Sequence, residues 1–336
     1  MSAPVILGPN QPPARPYRGG AGIRELRGTG SEDVYAPEDF VASTTCTFGS
    51  DTVGLSRLPD GTLLRDAIAA DPAAWLGAEH VAVFGGETAL LVKLLHTGER
   101  LFNHAHPDAV FAEAHLGIGR GKTEAWIITD TGGRESADVW LGWNREVTEG
   151  EIAEWFARQD SDGMLAALNH VTVRAGEWIH VPAGTPHSIG EGITLVELQE
   201  PVDLSIILEY APFPALDREA ALLGLPVETA LAAVSRDRTD PSALHGAVVD
   251  GSFLPLAADP FYRAEQVRGG DILDAGFSVV VVLEGAGSLR EVPVARGATV
   301  VIPHSAGPLQ LVGDLRAIRC RPPHPNEVHA PGRLEP

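Results

Sequence analysis

Thirty-seven glycines and 26 prolines divide this chain of 336 residues into short apolar pieces. Residues 123–129, 178–182, 192–199 and 204–210 alternate like strands, and 101–111 reads as a strand with a turn at Pro107-Asp108. The apolar run 87–96 ends in a charged turn, and 277–283, 298–302 and 309–318 repeat the strand pattern later on. Many short strands between Gly and Pro turns favour a barrel or sandwich over a doubly wound sheet. Helical spacing interrupts the pattern at three places. Leu64, Ile68 and Trp75 share a face across 63–76, with a break at Asp71-Pro72; Ile152, Trp155 and Phe156 form a stripe; and 215–234 is broken at Pro226. The expectation is a mainly β protein of two small barrels. Residues 1–212 form the first, with a helical insertion at about 147–168. Residues 213–244 form a helical connector, and 245–336 a second barrel with a proline-rich tail.

Charge narrows the partners. A formal net charge of -20 makes nucleic acid and anionic membranes poor partners and leaves small molecules as the expected ones. No apolar run approaches the ~20 residues of a membrane span, and residues 1–20 lack a signal-peptide core. Cys46 and Cys320, far apart, make neither a disulfide framework nor a clustered metal site, so a cytoplasmic location is expected. Of the 25 basic residues only Lys93 and Lys122 are lysines.

Three segments carry metal-ligand chemistry. Asn103-His104-Ala105-His106-Pro107 places two histidines at i and i+2, on one face of a strand. Gly121-Lys122-Thr123-Glu124 opens a strand with Lys122, Glu124 and Trp126 on one face, and a buried Glu there needs a partner or a metal. The turn 181–187 ends in His187, with His180 before it as the competing candidate. Three imidazoles and one carboxylate suit a divalent transition ion with positions left open for water or substrate.

In these motifs the chain resembles the class I phosphomannose isomerases, zinc-dependent enzymes built from two cupin-type (jelly-roll) barrels. The family's Q-V-H-P, G-K-T-E, V-P-A-G-T-x-H and E-x-Q-x-x-S-D segments have counterparts at 104–107, 121–124, 181–187 and 197–203. The resemblance implies metal ligands His104, His106, Glu124 and His187, and interconversion of mannose 6-phosphate and fructose 6-phosphate through a cis-enediol. It departs in places. His104 replaces a glutamine, which leaves manganese, iron, cobalt or nickel open beside zinc. Phe102 replaces a serine, Val202 another, and Ile207 stands where the family has an arginine. Lys93, Arg100, Arg120 and Lys122 are the candidates to hold a phosphate in its place.

Glu197 and Gln199 alternate onto one face just after the His187 turn. Glu197 is the first candidate for the base, with Lys122 the second, and a role for Glu197 as support to a ligand stays open. Gln199, Lys93 and Arg120 are the expected substrate-binding residues. Three readings follow: a phosphomannose isomerase, the same chemistry on an unphosphorylated or different sugar, and a non-catalytic metal- or sugar-binding cupin. His304, His324 and His329 of the second half form no comparable set, so that barrel is expected to be metal-free.

Overall fold

The computed structural model describes residues 3–249 and 251–326. The end of the expected proline-rich tail, with His329, lies outside them. Three antiparallel sheets build the molecule. A six-stranded sheet runs His245–Ala247, Glu177–Val181, Glu124–Asp130, Thr194–Gln199, Leu91–His96 and Glu38–Val41. A five-stranded sheet faces it, in the order Ile206–Ile207, His104–Ala105, His187–Ile189, Ala137–Trp143 and Leu168–Val173. Together they make the first barrel. The second is a seven-stranded sheet dominated by the long strands Ser278–Leu289 and Leu309–Arg321.

Alternation explains how the barrels meet. Leu95, Trp126, Ile128, Ile179 and Leu195 point into the first barrel, where they pack with Val139 and Leu141 of the facing sheet. Their neighbours Val92, Leu94, Ala125, Ile127, Val196 and Leu198 point the other way and pack on Val279, Val281 and Ile318 of the second barrel. Val280, Val282, Val300 and Leu311 then fill the second barrel itself. A sheet covered on both faces needs near-continuous apolar strands, which is why 89–95 reads as an apolar run broken only at Lys93.

Two strands cross between the halves. Val5–Leu7 pairs with Thr299–Ile302 in the second sheet, and His245–Ala247 pairs with Glu177–Val181 in the first. The junction is pinned by Arg27, which reaches Asp39 of the six-stranded sheet at 3.3 Å and donates to the Thr299 hydroxyl and the Leu7 carbonyl at 2.8 Å each.

The helical expectations are met by Leu64–Ala70 and Pro72–Leu76, separated by Asp71, whose side chain caps the second. Glu149–Arg158 and Ser161–Ala167 form the insertion, and Arg218–Ala221 and Val227–Leu231 the connector. Other readings change. The expected strand over 101–111 shrinks to His104–Ala105, because Asp108 caps a helix at Ala109–Leu116 that Gly117 ends in a left-handed conformation. The expected strand at 204–210 is only Ile206–Ile207. Helices Ala21–Arg27 and Ala78–Phe84 and strand Ala137–Trp143 carry no signal used above.

The Arg27–Asp39 pair is buried, so removing one partner strands the other charge. Arg27→Met is expected to cost about 3–5 kcal/mol in urea unfolding while leaving metal affinity unchanged. An unchanged unfolding midpoint would show that this pair does not hold the junction.

Candidate metal centre and catalytic cavity

His104 and His187 are directly paired residues on adjacent strands, and His106 follows just beyond the strand end. All three are buried. Each ring is oriented by a backbone carbonyl at its Nδ1: Phe102 at 3.0 Å for His104, Leu204 at 2.7 Å for His106 and Thr185 at 2.9 Å for His187. A carbonyl only accepts, so Nδ1 carries the proton and Nε2 is left with its lone pair. The rings gather with centroids 4.0–4.9 Å apart, and one nitrogen from each lies within 4.8 Å of the others. Burial holds His106 neutral, down at about 3, and the nearby Lys122 ammonium adds to this. Burial and the other two imidazoles push His104 well below its ordinary value.

Glu124 comes from the facing sheet. Its Oε2 lies 3.0 Å from His106 Nε2 and its Oε1 lies 3.3 Å from His187 Nε2. Neither nitrogen has a hydrogen-bond partner, and Oε2 otherwise meets only the Lys122 ammonium, 3.0 Å away. Lone pairs therefore face lone pairs in a buried space, an arrangement that a shared cation resolves. The donor set fits a divalent metal ion on that ground. Trp126 Nε1 donates to Glu124 Oε1 at 2.9 Å and fixes the carboxylate. The tight approach before it needs Gly121: a Cβ there would come within 2.6 Å of the Ala109 nitrogen. His180, the competing candidate, lies away from this cluster, its Nδ1 3.2 Å from the Tyr262 hydroxyl.

Beside the cluster is a cavity of about 230 Å³. That is small against the ~300–1,000 Å³ of typical ligand sites, and suits one sugar unit. Its polar wall is a row of alternating charges. Lys122 lies 3.0 Å from Glu124 and 3.9 Å from Glu197. Lys93 lies 3.8 Å from Glu197, 3.3 Å from Glu38 and 3.1 Å from Asp203. Arg15 closes the row, 3.1 Å from both Glu38 and Asp203. Burial opposes the charge on Lys93, but Asp203 and Glu38 outweigh it and raise the ammonium. Burial and the Glu124 carboxylate push Glu197 up to about 8 against the pull of Lys93 and Lys122.

The expected site residues divide. His104, Glu124, Glu197, Lys122 and Lys93 line the cavity, as do Phe102 and Ile207. Gln199 is buried, and its amide donates to the carbonyls of Glu200 and Val202, tying down the following turn. Arg120 pairs with Glu87 at 3.1 Å and stands outside the cavity lining. Arg100 is engaged by both oxygens of Glu209 at 2.8 and 2.5 Å. Sequence reasoning missed Arg15, Tyr17 and Glu38. Tyr17 donates to Glu38 at 2.6 Å, and Asp203 enters the sequence pattern only as the last position of the 197–203 motif.

Fold and site together define a double-barrel protein of the cupin type with a buried histidine cluster fit for a metal. No family model matches the chain. It is 28% identical to the mannose-6-phosphate isomerase of Streptococcus mutans over 265 residues, 75% of this chain and 80% of that one. It is 34% identical to mannose-6-phosphate isomerase ManA of Bacillus subtilis over 119 residues, 36% of that protein. Its fold matches the crystal structure of the Bacillus subtilis mannose 6-phosphate isomerase with a TM-score of 0.73 at 22% identity, covering 95% of this chain and all (100%) of the other. The apo form of the Salmonella typhimurium enzyme matches at 0.71 and 17%, covering 96% and 100%. In sequence and in fold, then, the chain is similar to mannose-6-phosphate isomerases.

His106→Ala is expected to empty the site, while His180→Ala keeps it filled. Metal analysis after dialysis against a weak chelator checks both. Loss of the ion from His180→Ala alone would overturn the ligand assignment.

Proposed function

We propose that the chain is a metal-dependent aldose–ketose isomerase that interconverts mannose 6-phosphate and fructose 6-phosphate. The observation that carries this reading is the juxtaposition of the histidine cluster and Glu124 with Lys122 and Glu197 in one sugar-sized cavity. His104, His106, Glu124 and His187 would hold one divalent ion, with zinc the first candidate from the family. Such an ion supplies Lewis-acid polarisation of the substrate's carbonyl and hydroxyl oxygens.

The remaining steps belong to the chain. Glu197 is the proposed base. Its Oε2 has no hydrogen-bond partner, and it lines the cavity within reach of both Lys122 and Lys93, so a free carboxylate lone pair faces the substrate. It would remove the C2 proton of the aldose and deliver it to C1 through a cis-enediol. Lys122, between Glu124 and Glu197, is placed to move the hydroxyl proton. Lys93, itself held by Asp203, stands 3.8 Å behind Glu197. Burial of all these groups keeps water from competing for the enediol.

Residues 1–212 would carry the chemistry, with 213–244 as connector and 245–336 as a buttress. Among the described residues the second barrel has no cluster like the first. Two unpaired cysteines support a reducing, cytoplasmic setting.

Glu197→Gln tests the base. The expected outcome is an unchanged metal content with turnover of mannose 6-phosphate reduced about 10²–10⁴-fold. A variant with normal kinetics would remove Glu197 from that role.

A further inference from the structure

An anionic substrate needs a cation with hydrogen-bonding capacity to spare, and most cations here have none. Lys93 faces three carboxylates with its three N–H groups and is buried. Lys122 keeps one N–H beyond Glu124 and Glu197, but it stands beside the histidine cluster at the reacting end of the cavity, where its role is the hydroxyl proton. Arg100 is locked on Glu209, and Arg120 stands outside the cavity.

Arg15 differs. It lines the cavity with 20% of its side chain exposed, against 2% for Lys93 and 6% for Lys122. Its Nε donates to Glu38 at 3.1 Å, and its two Nη atoms donate to Asp203 at 3.1 and 3.4 Å. A guanidinium has five N–H groups, so two remain for a ligand. It stands at the end of the charged row away from the metal ligands. A sugar with its reacting carbons at the histidine cluster therefore sends its far end toward Arg15. The arm is built to hold it there. Ala14 is in the left-handed region at φ 57°, Pro16 follows, and the Arg15 amide donates to the Tyr35 carbonyl at 2.9 Å. A non-glycine residue held in that region is the kind of local strain that accumulates at functional sites.

We propose that Arg15, delivered by the N-terminal arm, contacts the phosphate at the far end of the substrate. This rests on the mannose 6-phosphate reading and assigns it the cation that Ile207 does not supply. The carboxylates of Glu38 and Asp203 grip one edge of the fork, and the free N–H groups meet phosphate oxygens.

Mannitol 6-phosphate, which lacks the carbonyl and cannot isomerise, is the binding probe on the metal-loaded full chain. Calorimetry is expected to show its dissociation constant weakened about 10- to 100-fold in Arg15→Lys and more in Arg15→Met. Arg18→Met, on the same arm but paired with Glu99 outside the cavity, leaves it unchanged. In turnover the Arg15→Lys loss falls on KM, with kcat and metal content near wild type. Should Arg15→Met fail to fold, Arg15→Lys decides, since it keeps the charge and loses the fork. Wild-type binding by Arg15→Lys, or a loss confined to kcat, overturns the assignment of Arg15 alone. A wild-type protein that neither binds mannitol 6-phosphate nor turns over mannose 6-phosphate overturns the functional reading together with it.

Discussion

Charge placed on the inner face of a sheet that is also covered on its outer face has nowhere to go but to other charge. That constraint shapes the whole first barrel. Lys93, Glu124, Glu197 and Glu38 sit on strands whose opposite faces are packed against the second barrel, so none can turn out to water. Each is stabilised by the others, by Lys122, Asp203 and Arg15, by the Tyr17 hydroxyl at Glu38 and the Trp126 indole at Glu124, and at one end by a metal-binding cluster. Pairs of this kind are weak sources of net stability, but they fix geometry because breaking any one leaves a buried orphan. The same constraint makes the cavity a rigid row of acids and bases.

The metal ligands were legible because each lies in a short local pattern whose spacing sets its direction. A His-x-His on a strand projects two rings to one side, and the Gly121–Glu124 segment announces a strand with a buried carboxylate. The charged row was only half legible. Glu197 and Lys93 could be placed by alternation, but Arg15 meets Asp203 across 188 residues of sequence, and nothing in the proline-rich arm marks that arginine above the others. Arg120 misled for the converse reason. It lies one residue before the Gly121 motif, and nearness in sequence put it in the cavity, whereas the turn sends it out to Glu87.

Legibility of the fold followed the same divide. Strands buried on both faces announce themselves as apolar runs, and helices broken at proline are found at the break. The helix Ala109–Leu116 hid because its residues are apolar without a clear stripe, so the cap at Asp108 was the only cue and read equally well as a turn. Ile206–Ile207 is short because the chain leaves the sheet at once, its flanking residues being taken up by Leu204 over His106 and Leu208 over Asn103.

Val5–Leu7 forms the edge of the second barrel's sheet although the rest of that barrel comes from the end of the chain. During synthesis this strand leaves the ribosome about 290 residues before its partner Thr299–Ile302. The first barrel can therefore assemble while Val5–Leu7 waits, and the second closes only when Thr299–Ile302 has emerged. The arm that carries Arg15 lies between that waiting strand and the first barrel. Completion of the second barrel thus fixes the near end of the segment that finishes the first barrel's cavity.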